Sequence, residues 1–207
     1  MGEDLFGNEI KEKRLLTTMN RIVTRQADIE GRDLYTTDPK DIERFLLAAK
    51  DEGLEIIGPI WEAAAGHGDI SKTLIQYGYD VVSTDIIPYK DNEIDIPAMD
   101  FFTCENLIRP DIKTIFTNPP FNEAENFLIH ALSFGIDIIF FVRMSFLSSK
   151  TRKKIFDVYK PTFTYIYAGR AKCYKNGDRS KDKNMIDYVV MIWKPPYKTK
   201  PIMEWIE

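Results

Sequence analysis

Short apolar segments alternate with amphipathic segments along most of the chain, and this alternation restricts the possible folds more than any other feature. The apolar runs at 56–61, 80–84, 112–117 and 136–142 predict strands, and the amphipathic segments at 69–77, 123–133 and 148–159 predict helices. Crossover helices of this kind join parallel strands and cover both faces of the sheet. The order of segments therefore predicts an α/β fold with a doubly wound, mostly parallel sheet. A further helix is predicted ahead of them, capped by Asp38 and beginning at Pro39.

The C-terminal part lacks this alternation. Two β-rich runs, 162–168 and 185–194, are joined by the polar stretch 175–184 without a helix, which predicts an antiparallel hairpin at the sheet edge. The prolines that follow are expected to end the last strand and to start a surface tail. We thus expect an N-terminal arm or amphipathic helix at 1–32, one domain at 33–195 and a C-terminal tail at 196–207.

Composition excludes several classes of protein. The 207 residues are 44% hydrophobic and 13% aromatic, which excludes intrinsic disorder for most of the length. The two cysteines, Cys104 and Cys173, and the two histidines, His67 and His130, have no metal-ligand spacing, so no metal site is expected. No uncharged apolar run reaches the length of about 18 residues that a membrane helix needs, so we expect a cytoplasmic protein without membrane contact.

Positive charge is concentrated in one part of an acidic chain. The net charge is -4, yet residues 143–183 contain twelve basic and only three acidic side chains. Such a basic block is typical of proteins that bind the phosphates of a nucleic acid, although a solvated charged surface is an open alternative. The residues expected to contact nucleic acid lie at a strand end, on the following helix and before the hairpin tip: Arg143, Phe146, Lys150, Arg152, Arg170, Lys172, Tyr174 and Lys175.

Two glycines stand where the first predicted strand of the alternation turns into its helix. Gly66 and Gly68 follow Glu62 in the stretch WEAAAGHGD, at an edge of the sheet where doubly wound proteins bind ligands. Asp85 follows the second strand, 23 residues after Glu62, and its carboxylate suits the two hydroxyls of a ribose. The three-glycine dinucleotide motif is absent, so a nucleoside without phosphates fits this turn better than a dinucleotide.

Asn118-Pro119-Pro120-Phe121 follows the strand predicted at 112–117. The prolines hold an extended turn and supply no amide hydrogens, so nearby carbonyls remain available as acceptors. The Asn118 side-chain oxygen and the Pro119 carbonyl could accept both hydrogens of one planar amine, and Phe121 could stack on the ring that carries this amine.

Together these motifs resemble the S-adenosylmethionine-dependent DNA adenine (amino) methyltransferases, in particular the small members found in phages. The resemblance implies a Rossmann-like class I methyltransferase fold with a seven-stranded sheet, S-adenosylmethionine as cofactor, and Asn118, Pro119, Pro120 and Phe121 as catalytic residues. It also implies a cofactor site in which Asp85 binds the ribose and Asp100 with Phe101 binds the adenine. The cofactor-binding residues expected on this basis are Tyr35, Thr36, Thr37, Pro39, Glu62, Ala64, Gly66, Gly68, Asp85, Ile86, Asp100, Phe101 and Asn118.

The expected reaction is direct in-line transfer of a methyl group to the exocyclic amine of adenine in DNA. RNA or a protein glutamine is an alternative substrate, because the same tetrapeptide can present any planar amine or amide. A non-catalytic cofactor-binding protein is the remaining alternative. Larger relatives carry a separate target-recognition region for which this chain has no room. A homodimer or a partner subunit could supply target recognition instead.

Overall fold

The computed structural model describes residues 34–87, 89, 97–104, 108–180 and 186–207. The arm or helix predicted at 1–32 lies outside the described residues. The strands are β1 (Tyr35–Thr37), β2 (Ile60–Glu62), β3 (Val81–Ser83), β4 (Thr114–Thr117), β5 (Asp137–Arg143), β6 (Phe163–Tyr167), β7 (Cys173–Lys175), β8 (Tyr188–Trp193) and β9 (Ile202–Ile206). The helices are α1 (Pro39–Asp51), α2 (Asp69–Gln76), α3 (Ala124–Ser133) and α4 (Lys150–Val158), with a 3-10 turn at Met144–Leu147. In the part of the chain that the structure describes, no helix combines the length and the hydrophobicity that crossing a membrane requires.

The central sheet has seven strands in the order β3-β2-β4-β5-β8-β6-β9. Strands β3, β2, β4 and β5 run parallel to one another, whereas β8 is antiparallel to both β5 and β6. This arrangement confirms the predicted doubly wound α/β sheet and its antiparallel C-terminal strands. Since each parallel strand ends at the same edge, the loops after β2, β3 and β4 meet there.

Strand β9 corrects the expected surface tail. Residues Ile202–Ile206 pair in parallel with β6, with Ile202 opposite Phe163 and Ile206 opposite Tyr167. The hairpin of β6 and β8 therefore lies inside the sheet, and β9 forms the edge. The physical reason is that Ile206, only 2% exposed, joins the apolar core, so this segment contributes a buried side chain that a solvated tail would leave in water.

Two apolar cores cover the two faces of the sheet, and alternate residues of β5 point into each. Helices α1 and α2 contribute to the core that contains Ile139 and Phe141. Helix α3 contributes to the other core, which contains Ile138 and Phe140. Helix α1 begins as predicted: Pro39 is its first residue, and the side chain of the preceding cap residue, Asp38, accepts a hydrogen bond from the Lys40 amide at 3.0 Å.

Strands β1 and β7 form a separate two-stranded antiparallel ribbon. It joins two segments that are far apart in sequence, because Tyr35 pairs with Lys175 and Thr37 with Cys173. Buried Asp41 anchors the ribbon to the body through its side chain, which accepts the Lys172 amide hydrogen bond. The ribbon thus places the segment that precedes α1 above the edge of the sheet where the loops meet.

Replacing Ile206 by alanine tests the contribution of β9. We expect Ile206→Ala to lower the free energy of unfolding by about 2–5 kcal/mol, because a fully buried isoleucine is truncated. The matched control is Ile202→Ala on the same strand, where the side chain is 44% exposed and a much smaller loss is expected. Urea unfolding of both variants measures the difference, and equal losses would contradict the assignment of Ile206 to the core.

Candidate cofactor and substrate site

A cleft lies at the carboxyl ends of the parallel strands, beneath the β1–β7 ribbon. Strand β2 delivers Glu62, the loop after β3 delivers Asp85, and β4 leads into Asn118. The cleft brings together most of the predicted site. Its walls are formed by Leu34, Tyr35, Thr36, Thr37, Glu62, Ala64, Ala65, Gly66, Asp69, Ile70, Asp85, Tyr89, Asn118, Pro119, Pro120 and Phe121.

The Asp85 carboxylate joins two loops of the cleft. Its Oδ2 accepts the Gly66 amide at 2.8 Å, and its Oδ1 accepts the Ile87 amide at 2.9 Å. These two contacts orient the carboxylate within the cleft. Gly66 has a φ of +54°, and a Cβ there would come within 3.0 Å of the Leu34 side chain, so both backbone conformation and space favour glycine.

Glu62 presents a buried carboxyl group at the end of β2. Its Oε2 accepts hydrogen bonds from the backbone amide of Ser71, at 2.8 Å, and from the Ser71 hydroxyl. Burial is the largest influence and raises the pKa of Glu62 well above its ordinary value, although the two Ser71 bonds act in the opposite direction. A cationic ligand group in the cleft would favour the ionised form of this carboxyl.

The side-chain amide of Asn118 is held in one orientation. Its Nδ2 donates to the Tyr35 carbonyl and to the Thr37 hydroxyl, both at 3.1 Å. Because a carbonyl can only accept, this pairing places the amide nitrogen towards β1 and the oxygen away from it. The Asn118 Oδ1 is buried and has no hydrogen-bond partner among the described residues. A buried acceptor left unpaired is costly, which indicates that a ligand donor completes it.

Phe121 lies among aromatic and cationic groups at the same cleft. Its ring centroid is 4.7 Å from that of Tyr35, with the planes inclined by 47°. The guanidinium carbon of Arg143 lies 3.5 Å from the Phe121 ring centroid, which is a close cation–π contact. Arg143 thus reaches the tetrapeptide from the end of β5.

Several residues predicted to bind the cofactor lie near the cleft without lining it. Pro39 starts α1, and Gly68 precedes the first residue of α2 with a left-handed φ of 75°. Ile86 is half-buried beside Asp85. These three residues shape the loops that carry the lining residues.

Phe101 does not line the cleft, and neither does Asp100. Phe101 is 2% exposed and its ring stacks on Phe127 with centroids 4.6 Å apart, inside the core that α3 covers. A ring packed in this way cannot cover a cofactor adenine. Asp100 is buried as well, and its Oδ1 accepts the Phe102 amide at 3.1 Å. Sequence alone could not distinguish a core aromatic from a cleft aromatic at this position.

Two aromatic residues predicted to contact nucleic acid are also buried. Phe146 is 6% exposed and lies beneath the Arg152 guanidinium at 4.8 Å. Arg152 donates to the Phe146 carbonyl at 2.7 Å, so this arginine stabilises the turn before α4. Tyr174 is 8% exposed and its hydroxyl donates to Asp38 at 2.6 Å, because β7 packs against the start of α1. In these positions the two rings cannot stack on a nucleic-acid base. The remaining predicted contacts are exposed: Lys150, Arg170, Lys172 and Lys175.

Sequence reasoning missed several lining residues, of which Asp69 is the most informative. Asp69 is the first residue of α2 and accepts an ion-pair hydrogen bond from Arg179 at 2.8 Å. Burial raises the pKa of Asp69, and Arg179 partly opposes this shift. An acidic residue at the first helical position after a glycine turn was the available signal. Leu34, Ala65, Ile70 and Tyr89 line the cleft without a comparable motif.

Comparisons with known proteins agree with this architecture. No protein-family model and no curated protein sequence matches the chain. A candidate RNA methyltransferase from Pyrococcus horikoshii has a similar structure, with a TM-score of 0.52 and 14% identity over 78% of this chain and 87% of its own. A candidate class I S-adenosylmethionine-dependent methyltransferase from Listeria monocytogenes is similar with a TM-score of 0.52 and 13% identity, over 80% of this chain and 64% of its own. The chain has the class I methyltransferase fold.

The fold also occurs within a longer chain. The modification subunit of a candidate type I restriction enzyme from Vibrio vulnificus is similar with a TM-score of 0.53 and 14% identity. The match covers 91% of this chain and 49% of that subunit, so the chain spans about half of the subunit's length. At these sequence identities the structural similarities show the class I methyltransferase fold. The substrate has to be inferred from the chemistry of the cleft.

Glu62→Gln tests the buried carboxyl through the pH dependence of stability. The pKa of Glu62 is higher in the folded protein than its ordinary value of 4.5, so the folded state binds the proton more tightly than the unfolded state. The resulting contribution to the free energy of unfolding is fully present below pH 4.5 and is lost as the pH rises through the folded pKa. We therefore expect the free energy of unfolding of Glu62→Gln, relative to wild type, to increase between pH 5 and pH 8. Urea unfolding across this range measures it. The exposed Glu55→Gln is the control, and a pH-independent difference for Glu62→Gln would contradict the shift.

Proposed function

We propose that this protein is an S-adenosylmethionine-dependent methyltransferase that methylates the exocyclic amine of adenine in DNA. The observation that carries the proposal is the buried, unpaired Oδ1 of Asn118, held in the same cleft as the carboxyl groups of Glu62 and Asp85. An isolated acceptor of this kind fits a substrate that brings an N–H donor. Carboxylates in the rest of the cleft fit a ligand that brings hydroxyls and a positive charge.

The cleft residues fit S-adenosylmethionine, a nucleoside with a cationic amino-acid tail. Asp85 would hold the ribose hydroxyls, because both of its oxygens are already oriented by backbone amides. Glu62 would hold the ammonium group, whose charge would compensate for the buried carboxylate. Gly66 permits close approach of the backbone at the turn between them. The cofactor, when bound, supplies an electrophilic methyl group on a sulfonium.

The tetrapeptide would orient the substrate amine. Asn118 Oδ1 accepts one amine hydrogen, and the Pro119 carbonyl accepts the other. Accepting both hydrogens favours a pyramidal nitrogen whose lone pair is directed away from the purine ring and can attack in line. Tyr35 and Thr37 keep the Asn118 oxygen in place through their bonds to Nδ2. Such positioning can supply roughly 7–11 kcal/mol of the rate acceleration.

The exposed basic side chains support a polyanionic substrate. Lys150, Arg170, Lys172 and Lys175 are solvent-exposed; Lys172 directly precedes β7 in the ribbon that roofs the cleft, and Lys175 is the last residue of β7. Phosphate contacts made by such residues position a nucleic acid without reading its sequence. An adenine inside a duplex would have to leave the stack, which costs a few kcal/mol and favours unpaired or mismatched sites.

The decisive experiment supplies the purified protein with methyl-labelled S-adenosylmethionine and, separately, unmethylated DNA, total RNA and cell protein. Digestion and nucleoside analysis are expected to find labelled N6-methyladenine from DNA. Label in RNA or in glutamine would reassign the substrate. Cofactor binding without any labelled product would overturn the enzymatic proposal and favour a non-catalytic role.

Asn118→Ala tests the mechanism. We expect kcat on DNA to fall by at least about 100-fold, by analogy with loss of one preorganised hydrogen bond at a reacting centre. The dissociation constant for S-adenosylmethionine, measured by calorimetry, should change by less than about threefold. Asn126→Ala is the matched control, because this exposed asparagine on α3 bonds only to Glu123 through its Nδ2 among the contacts described. Full activity in Asn118→Ala would show that the assigned mechanism is wrong.

A further inference from the structure

The Arg143 guanidinium covers the ring of Phe121. Its Cζ lies 3.5 Å from the Phe121 ring centroid and 5.2 Å from that of Tyr35. A carbon-to-carbon distance of about 3.5–4.0 Å is van der Waals contact, so no second ring can enter between Arg143 and Phe121. A flat cationic group therefore occupies a surface of the aromatic residue in the tetrapeptide.

Among the described residues, no hydrogen bond from the Arg143 Nε holds the guanidinium against the Phe121 ring. The atom is buried and has no acceptor among the described residues. A buried donor without an acceptor opposes the favourable cation–π contact, so the net stability of the arrangement is smaller than the short distance suggests. Arg143 is the last residue of β5, directly before the 3-10 turn, so its long side chain can move while its backbone remains paired with Tyr188 of β8.

We propose that the Arg143 guanidinium occupies the face of the Phe121 ring on which the target base stacks, and that it leaves this face when the base binds. This inference rests on the proposed function and on the sequence-based expectation that Phe121 stacks on the adenine ring. The entering ring replaces one flat group by another on the same aromatic face. The displaced guanidinium then pairs with a phosphate of the target strand, so base entry and backbone binding are linked through one side chain.

We expect removal of the Arg143 side chain to have opposite effects on the use of a nucleoside and on the binding of a polynucleotide. A nucleoside has no phosphate, so it must displace Arg143 without compensation. A polynucleotide recovers the lost contact through its phosphate. Removing the side chain should therefore help the nucleoside and harm polynucleotide binding, whereas damage to the fold would harm both.

The test compares Arg143→Ala with wild type on 2′-deoxyadenosine and on a single-stranded oligonucleotide of thymidines with one central adenine. We expect kcat/KM for 2′-deoxyadenosine to rise about 3- to 30-fold, the range given by the strength of a cation–π contact. For the labelled oligonucleotide, we expect the slope of log association constant against log salt concentration to weaken by about 0.7, which corresponds to one lost phosphate contact.

Two further variants separate the effects. Arg143→Lys keeps the charge and loses the flat group, so it should retain the salt slope while still raising kcat/KM for the nucleoside. Arg170→Ala removes an exposed arginine that lies 3.5 Å from Asp187, and it should give no gain with the nucleoside. A thermal unfolding midpoint for each variant shows whether the fold is intact.

The outcomes distinguish this inference from the proposed function. If wild type methylates DNA but Arg143→Ala lowers or leaves unchanged kcat/KM for 2′-deoxyadenosine, the displacement role of Arg143 is overturned and the methyltransferase proposal stands. An unchanged salt slope in Arg143→Ala would overturn the phosphate contact. If wild type methylates no DNA, both proposals fail.

Discussion

Two hydrogen bonds from the Asn118 side-chain amide to β1 determine what the cleft can do. The Tyr35 carbonyl and the Thr37 hydroxyl hold the amide nitrogen, and this leaves the oxygen buried and directed elsewhere. Neither acceptor would be in place without the ribbon in which β1 pairs with β7. The position of the Asn118 oxygen therefore depends on a tertiary contact between segments more than 130 residues apart, such as Thr36 and Tyr174.

The ribbon also connects the two ligands proposed for the protein. It forms the roof of the cleft, through Tyr35, Thr36 and Thr37. Its strand β7 ends at exposed Lys175, and exposed Lys172 directly precedes that strand. The loop after β7 continues to Arg179, which pairs with Asp69 in the wall of the cleft. A phosphate backbone bound along this segment would thus be held by the same elements that line the cleft.

Burial accounts for the differences between the expected and the observed site. Phe101, Phe146 and Tyr174 were expected at ligands because each stands in or beside a motif or a basic run. Each of them is packed in the protein, where a large aromatic side chain gains most from leaving water. The same argument explains β9, since its last residue, Ile206, enters the core at the sheet edge. The position of a motif in the sequence indicates where a loop lies. The direction in which an aromatic side chain points depends on the residues that pack against it.

The sequence by itself determined the alternation of strands β2 to β5 with helices, the antiparallel strands β6 and β8, the α/β fold and the strand ends at which Glu62, Asp85 and Asn118 lie. These follow from local physics: hydrophobic period, helix caps, and glycine and proline at turns. Tertiary structure alone decided the pairing of β1 with β7, the contact of Arg143 with Phe121 and the unpaired oxygen of Asn118. Contacts of this kind join residues distant in the chain, and their geometry depends on packing that no local pattern of residues encodes.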